Sequence, residues 1–206
     1  MDTYNVKITF IQPVLGTASQ DRDIYERYIA SKTELPEGKL REELDSLPGE
    51  PSKGTGFHRN EDGCPVLLDY HIRGFFKDAC GMLRRVDGTL SKRVRAYRKI
   101  VDGLIFVQPR QIVLQMPGGE DVGILDRPLR ASTAQGERVS LARSEMCPAR
   151  TEVSFTVVVL GPIRERKNVL PVEELLREWL SYGQFHGIGQ WRNAGWGAFT
   201  YEMEKA

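Results

Sequence analysis

Cysteine is scarce: Cys64, Cys80 and Cys147 are the only three, and no two of them form a C-x-x-C pair. An odd number at wide spacing excludes a disulfide framework and offers no zinc-ligand pattern, so a reducing, cytoplasmic compartment is expected. Histidine is as sparse. His58, His71 and His186 are the only three, and their spacing gathers neither a metal set nor an acid–base pair. No apolar run approaches the roughly 18 residues of a membrane span. The start, Met1-Asp2-Thr3-Tyr4-Asn5, has neither the basic nor the apolar region of a secretory leader. No membrane partner is therefore expected. The G-x-S-x-G elbow of serine hydrolases is missing, and so is the Gly-Lys-Ser/Thr of a Walker loop. The adjacent carboxylates Glu42-Glu43, Glu61-Asp62 and Glu173-Glu174 do not face one site on a helix or strand. No catalytic residue, metal site or cofactor is expected.

What is present is an ordinary globular composition, 40% hydrophobic and 28% charged over 206 residues. That is enough for one domain, residues 1–206, with a real core. Charge is unevenly spread. Between Arg73 and Lys99, nine basic residues (Arg73, Lys77, Arg84, Arg85, Lys92, Arg93, Arg95, Arg98, Lys99) meet two acidic ones, a local net of +7. Between Gln20 and Asp62, eleven acidic residues outnumber seven basic ones. This asymmetry fits a basic nucleic-acid face opposite an acidic region, although a solvated helix and loop would have the same composition.

Periodicity supplies the elements. Tyr4 to Ile11 alternates as a half-buried strand, ended by Pro13 and Gly16. Asp21 to Ser31 and Glu37 to Leu47 have helical spacing, and Pro48 to Gly56 is rich in breakers. Cys64 to Leu68 reads as a short strand and Ile72 to Arg85 as a helix. Leu104 to Val107 and Gln111 to Gln115 read as two strands joined by a turn at Pro109. Val153 to Leu160 is a β-branched core strand, and Pro171 to Tyr182 an amphipathic helix with Pro171 at its first position. Ala198 to Met203 alternates as a closing strand. The class expected is α+β, with a sheet and two packed helices.

The densest signal is Gly187-Ile188-Gly189-Gln190-Trp191-Arg192-Asn193-Ala194-Gly195-Trp196-Gly197-Ala198-Phe199. Two Gly-x-Gly pairs flank aromatic and basic side chains. Clustered glycine marks a tight loop or close backbone approach, so Gly187, Gly189, Gly195 and Gly197 can present N–H groups to a partner. Arg192 and the preceding His186 offer phosphate contacts, while Trp191 and Trp196 offer faces to a base or to a core. The spacing is not that of a dinucleotide fingerprint. Arg73 and Lys77 lie four residues apart, on one helix face. Tyr97 sits among arginines, where it can stack on a splayed base.

Three segments, in order, resemble the RAMP superfamily of CRISPR-associated RNA-binding proteins. Phe57 to Arg85, with the strand Cys64-Pro65-Val66-Leu67-Leu68 before Ile72-Arg73-Gly74-Phe75-Phe76-Lys77, is similar to the family's G-x-P-x-I-P-G-S-S-L-K-G region. Arg127, Thr133-Ala134 and Glu145, leading into Cys147-Pro148-Ala149-Arg150-Thr151-Glu152-Val153-Ser154-Phe155, resemble the next segment, and Gly187 to Phe199 its C-terminal glycine loop. The likeness is greatest to type III effector backbone subunits. It implies a ferredoxin-like (RRM-like) core with a helical insertion at about residues 20–53, a basic loop at about 86–103 and a glycine-rich C-terminal loop. It implies single-stranded or guide RNA as a partner, with other effector subunits or copies of the chain. Target-cleaving members carry an aspartate before the first strand of that region, whereas Lys53-Gly54-Thr55-Gly56 has no carboxylate. The expected function is thus non-catalytic RNA binding within a ribonucleoprotein. Two alternatives stand beside it: a phage or mobile-element protein that mimics or blocks an effector through protein contacts, and a metal-independent endoribonuclease using His58 or His186.

Overall fold

Tyr4, Val6, Ile8 and Phe10 alternate with more exposed neighbours, and all four are buried where the chain forms its first strand. The structure is a computed structural model and describes residues 1–21, 25, 27, 37–47, 54–133, 136–165 and 167–206. In chain order the elements are β1 (Asp2–Phe10), β2 (Val14–Leu15), β3 (Ala18–Ser19), α1 (Glu37–Asp45), β4 (Thr55–Gly56), β5 (His58–Arg59), β6 (Pro65–Leu68), α2 (Asp69–Leu83), α3 (Tyr97–Leu104), β7 (Ile105–Gln108), β8 (Gln111–Val113), β9 (Gly123–Thr133), β10 (Gly136–Cys147), β11 (Glu152–Val159), β12 (Arg164–Glu165), β13 (Asn168–Val169), α4 (Val172–Tyr182) and β14 (Phe199–Lys205).

The central sheet is antiparallel, in the order β14-β1-β11-β7. Its inward residues include Val153, Phe155, Val157 and Val159. They share one core with Ile72, Phe75, Phe76, Ala79 and Cys80 of α2 and with Leu175, Leu176, Trp179 and Leu180 of α4. Phe76 and Trp179 meet with ring centroids 5.6 Å apart. Each fully buried side chain of this size contributes about 1.5–3 kcal/mol, so the helix pair and the sheet depend on each other. The chain is mixed α/β, with four sheets among the described residues. No helix of the described residues is long and apolar enough to cross a membrane.

Several boundaries differ from those expected. The helix expected from Ile72 begins at Asp69, because the Leu68 N–H donates to His71 Nδ1 (3.1 Å) and Asp69 suits the positive helix start. The strands around Pro109 do not pair with each other: β7 joins β11 in the central sheet, and β8 joins β6 in another. The segment expected as a basic loop contains a short turn at Ser91–Arg93 and the helix α3. The second insertion helix is present as α1, whereas most of Asp21 to Ser31, and residues 48–53 of the breaker-rich loop, lie outside the described residues. The long hairpin of β9 and β10, in register from Gly136↔Thr133 to Met146↔Gly123, was not expected. Pro128 is tolerated in β9 because that strand pairs on one side only, with β10.

Candidate nucleic-acid interface

The glycine segment follows α4 and crosses itself before β14. The Ile188 N–H donates to Gly197 O at 3.0 Å, and a Cβ on Gly187 would come within 1.9 Å of that same oxygen. The Gly197 N–H donates to Pro13 O (2.9 Å) and the Gln190 N–H to Leu15 O (3.4 Å). Gly189, Gly195 and Gly197 have φ of +99°, +85° and +71°, where an L side chain is strained. The sequence signal of close backbone approach is therefore real, and at Gly187, Gly189 and Gly197 the approaching backbone belongs to the chain itself. Gly195 alone of the four has open space where a Cβ would stand.

Asp78 of α2 fastens this loop. It accepts a hydrogen bond from Arg192 (2.7 Å) and lies 2.9 Å from His186 Nε2. Trp191, at φ +57° and 45% exposed, stacks on Trp196 with centroids 5.9 Å apart and planes 11° from parallel. The Arg127 guanidinium of β9 lies 4.6 Å from the Trp191 ring centre. Arg127, Gln190 and Asp78 were not read from sequence as site residues. In the sequence Arg127 appears only within the second family-like segment, Gln190 only within the glycine segment, and Asp78 only as a carboxylate amid basic residues.

The predicted basic residues divide into two groups. Arg73 pairs with Asp69 (3.0 Å), Lys77 with Asp102 (2.8 Å), Lys92 with Asp87, and Arg93 with Glu165 (2.7 Å). The Lys77, Lys92 and Arg93 pairs are the more exposed ones, worth about 1 kcal/mol or less, so an arriving phosphate can displace their carboxylates at little cost. Arg73 and Asp69, in contrast, are part-buried, and Asp69 also holds Arg110. Arg84, Arg85, Arg95, Arg98 and Lys99 are exposed and form no ion pair with a described residue. Arg84, just past α2, and Arg98 of α3 lie over the Tyr97 ring at 5.3 and 5.8 Å. Glu178 of α4 positions the intervening segment by accepting the Leu90 N–H (2.7 Å) and the Ser91 N–H (2.9 Å).

The open face of the central sheet is a different surface. Asn5, Lys7, Thr9, Ser154, Thr156, Glu202 and Glu204 project from it, and Lys7 is paired with Glu152 at 2.9 Å. Among the described residues its one aromatic is Phe106, on the edge strand β7. A base-stacking sheet of the RRM type needs central aromatics and no surplus of carboxylate. This face has the reverse.

His58 is 1% exposed and enclosed by hydroxyls. Ser46 Oγ donates to Glu43 O (2.7 Å) and stands 2.6 Å from His58 Nδ1, so it receives the ring N–H, while Tyr25 O–H lies 2.9 Å from Nε2. Burial, reinforced by nearby His71, holds the His58 pKa down at about 3, and burial holds His71 at about 4. Burial pushes the Tyr25 and Tyr70 hydroxyls up. Glu43 extends the network to Arg110, which bridges to Asp69 at 3.1 Å. His58 is a neutral strut in a sealed network.

The fold is shared with known proteins. A chain in the cryo-EM structure of the type III-B Cmr-beta complex bound to cognate target RNA aligns with a TM-score of 0.54 and 12% identity, over 99% of this chain and 60% of that one. This chain thus spans 60% of the length of that type III-B chain. A chain of a type IV-B CRISPR complex aligns at a TM-score of 0.49 and 11% identity, over 98% of this chain and 90% of that one. No family model matches the sequence, and no curated protein does. The type III-B likeness shows a common fold with that chain.

Proposed function

We propose that this chain is a non-catalytic RNA-binding subunit of a CRISPR-type ribonucleoprotein, of the RAMP kind. The path β1-α2-β7-β11-α4-β14, with strand order β14-β1-β11-β7, supports reading the core as ferredoxin-like, a βαββαβ order interrupted by the other elements. The type III-B chain of like fold belongs to a complex with RNA, which supports RNA and neighbouring subunits as partners. The observation that carries the reading is the group Arg84, Arg85, Arg95, Arg98 and Lys99, exposed and without an ion pair among the described residues, of which Arg84 and Arg98 lie over Tyr97, flanking a segment fixed to the core through Glu178. Cations held in place without internal partners provide salt-dependent, sequence-tolerant affinity for phosphates. The sealed, neutral state of His58 supports a holding role over a cutting one.

Filter binding of labelled single-stranded RNA at rising salt tests this. Log K should fall linearly with log salt, and the triple variant Arg95→Ala, Arg98→Ala, Lys99→Ala should reduce that slope by about 2, at about 0.7 per lost contact. Lys7→Ala on the open sheet face should leave it unchanged. RNA binding that is absent, or insensitive to the triple variant, overturns the reading. Recovery of effector subunits without RNA would instead favour a protein-binding mimic.

A further inference from the structure

Among the described residues Arg127 is a cation without a carboxylate counter-ion, and its guanidinium lies 4.6 Å from the Trp191 ring centre. It is 8% exposed, and its NH2 group donates only to neutral partners, Ser144 Oγ (3.1 Å) and Gln190 Oε1 (3.3 Å). Its Nε is buried with no partner at all. Among the described residues no carboxylate pairs with it. Arg59, by contrast, pairs with Glu145 at 2.7 Å. Ser144 is itself 1% exposed and is fixed by Thr55 Oγ1 at 3.0 Å and by Gln190 Oε1 at 3.3 Å. A buried charge without a counter-ion is costly, and the Trp191 ring together with neutral hydrogen bonds offsets only part of that cost.

Beside this cation stands an aromatic surface held in an unfavourable state. Trp191 adopts the left-handed backbone region, which bulky residues avoid and which gathers at functional sites. Its indole overlaps Trp196 only partly, as the 5.9 Å centroid separation of near-parallel rings requires, and 45% of the residue remains exposed. The Gln190 N–H bond to Leu15 O and the Ala194 N–H bond to Trp191 O (2.9 Å) hold the turn that presents it. An inorganic anion would satisfy Arg127 and leave the indole exposed. An unstacked nucleotide satisfies both, with its phosphate on the guanidinium and its base on the ring.

We infer that Arg127, Ser144, Gln190 and Trp191, at the junction of the β9–β10 hairpin with the glycine segment, form a site for one unstacked nucleotide. This rests on the RNA-binding reading for the source of that nucleotide, a single-stranded RNA. Arg127 takes the phosphate, Trp191 takes the base, and Ser144 with Gln190 holds the guanidinium in place. Stacking on an indole is sequence-tolerant, so the site counts nucleotides without reading them.

The test follows the indole fluorescence of the full chain as adenosine monophosphate is added, with single-stranded RNA titrated in parallel. The nucleotide should quench the emission, and Trp191→Ala should abolish the quenching and weaken RNA about tenfold. Arg127→Met should raise the dissociation constants for nucleotide and RNA while raising the melting temperature of the free protein, because it removes an unpaired buried charge. Quenching that is missing in the native chain, or unchanged in both variants, overturns the site even where RNA binds through the basic strip. Quenching with the expected losses but no RNA binding keeps the nucleotide site and overturns the RNA reading. A lower melting temperature for Arg127→Met with unchanged nucleotide binding makes Arg127 structural and overturns the assignment.

Discussion

Gly187 and Gly74 separate two reasons for a glycine. A Cβ on Gly187 would lie 1.9 Å from Gly197 O, and the opposing group is backbone, which has no rotamer to yield. Gly74, in the interior of α2, is exposed and would meet nothing within 4 Å. Gly187→Ala should therefore destabilise by more than about 3 kcal/mol, among the larger effects of single substitutions. Gly74→Ala should stabilise by about 0.5–1 kcal/mol, the helix-propensity difference alone. Urea midpoints of the two variants against the parent chain check both signs, and a stable Gly187→Ala would mean that the crossing at Gly197 is looser than described. In the sequence both positions stood inside motifs that pointed to a partner. Spacing reveals that something must come close to a glycine; identifying it takes the fold, and at Gly187 the neighbour is the chain's own backbone.

At the scale of elements, Glu178 decides whether the basic strip is a surface or a tether. Its carboxylate accepts two consecutive N–H groups, from Leu90 and Ser91, together with the Ser91 hydroxyl, and Ser91 Oγ in turn accepts the Trp179 indole N–H at 2.9 Å. Each charge-assisted bond of this kind is worth about 1.5–3 kcal/mol, although losing all three together costs less than their sum. Glu178→Ala should lower stability by about 2–4 kcal/mol and raise amide exchange across residues 86–96 above that of α2. Equal exchange in parent and variant would show that Val94, fully buried, anchors the segment by itself. Elements with one apolar face were legible beforehand: β1 from Val6, Ile8 and Phe10, and α4 from Leu175, Leu176, Trp179 and Leu180. The β9–β10 hairpin was not. Leu141 and Val139 are exposed, Pro128 interrupts the strand pattern, and charged residues lie along both strands, so no period of two emerges. Arg127 was legible only as part of the family-like segment, and its meeting with Gln190 and Trp191 stayed hidden for the same reason.

Across the whole molecule, the network around His58 joins parts of the chain that no local pattern connects. Tyr25 and α1 belong to the insertion, His58 to β5, Tyr70, His71 and Asp69 to α2, and Arg110 to the turn before β8. In sequence His58 was one of three unremarkable histidines; its role comes from five segments meeting. The charged and titratable groups facing it are Glu43, Arg59, His71, Arg110, Tyr25 and Tyr70. Because burial holds the ring neutral, with a pKa near 3 against 6.5 when unfolded, the unfolded chain binds the extra proton first. Stability from His58 is thus complete above pH 6.5 and is lost as pH falls from there towards 3, at up to about 1.4 kcal/mol per pH unit. His71, held near 4, acts in the same direction over a narrower window. His58→Asn should be less stable than the parent at pH 7, since it breaks the Ser46 and Tyr25 contacts, yet its stability should fall less steeply below pH 6.5. The two curves converge as the medium becomes acidic. Urea unfolding of both proteins at neutral and acidic pH measures this, and parallel curves would show that the His58 ring is protonated in the folded chain. Convergence would establish that the insertion is held to the core by a network in which the His58 ring is neutral.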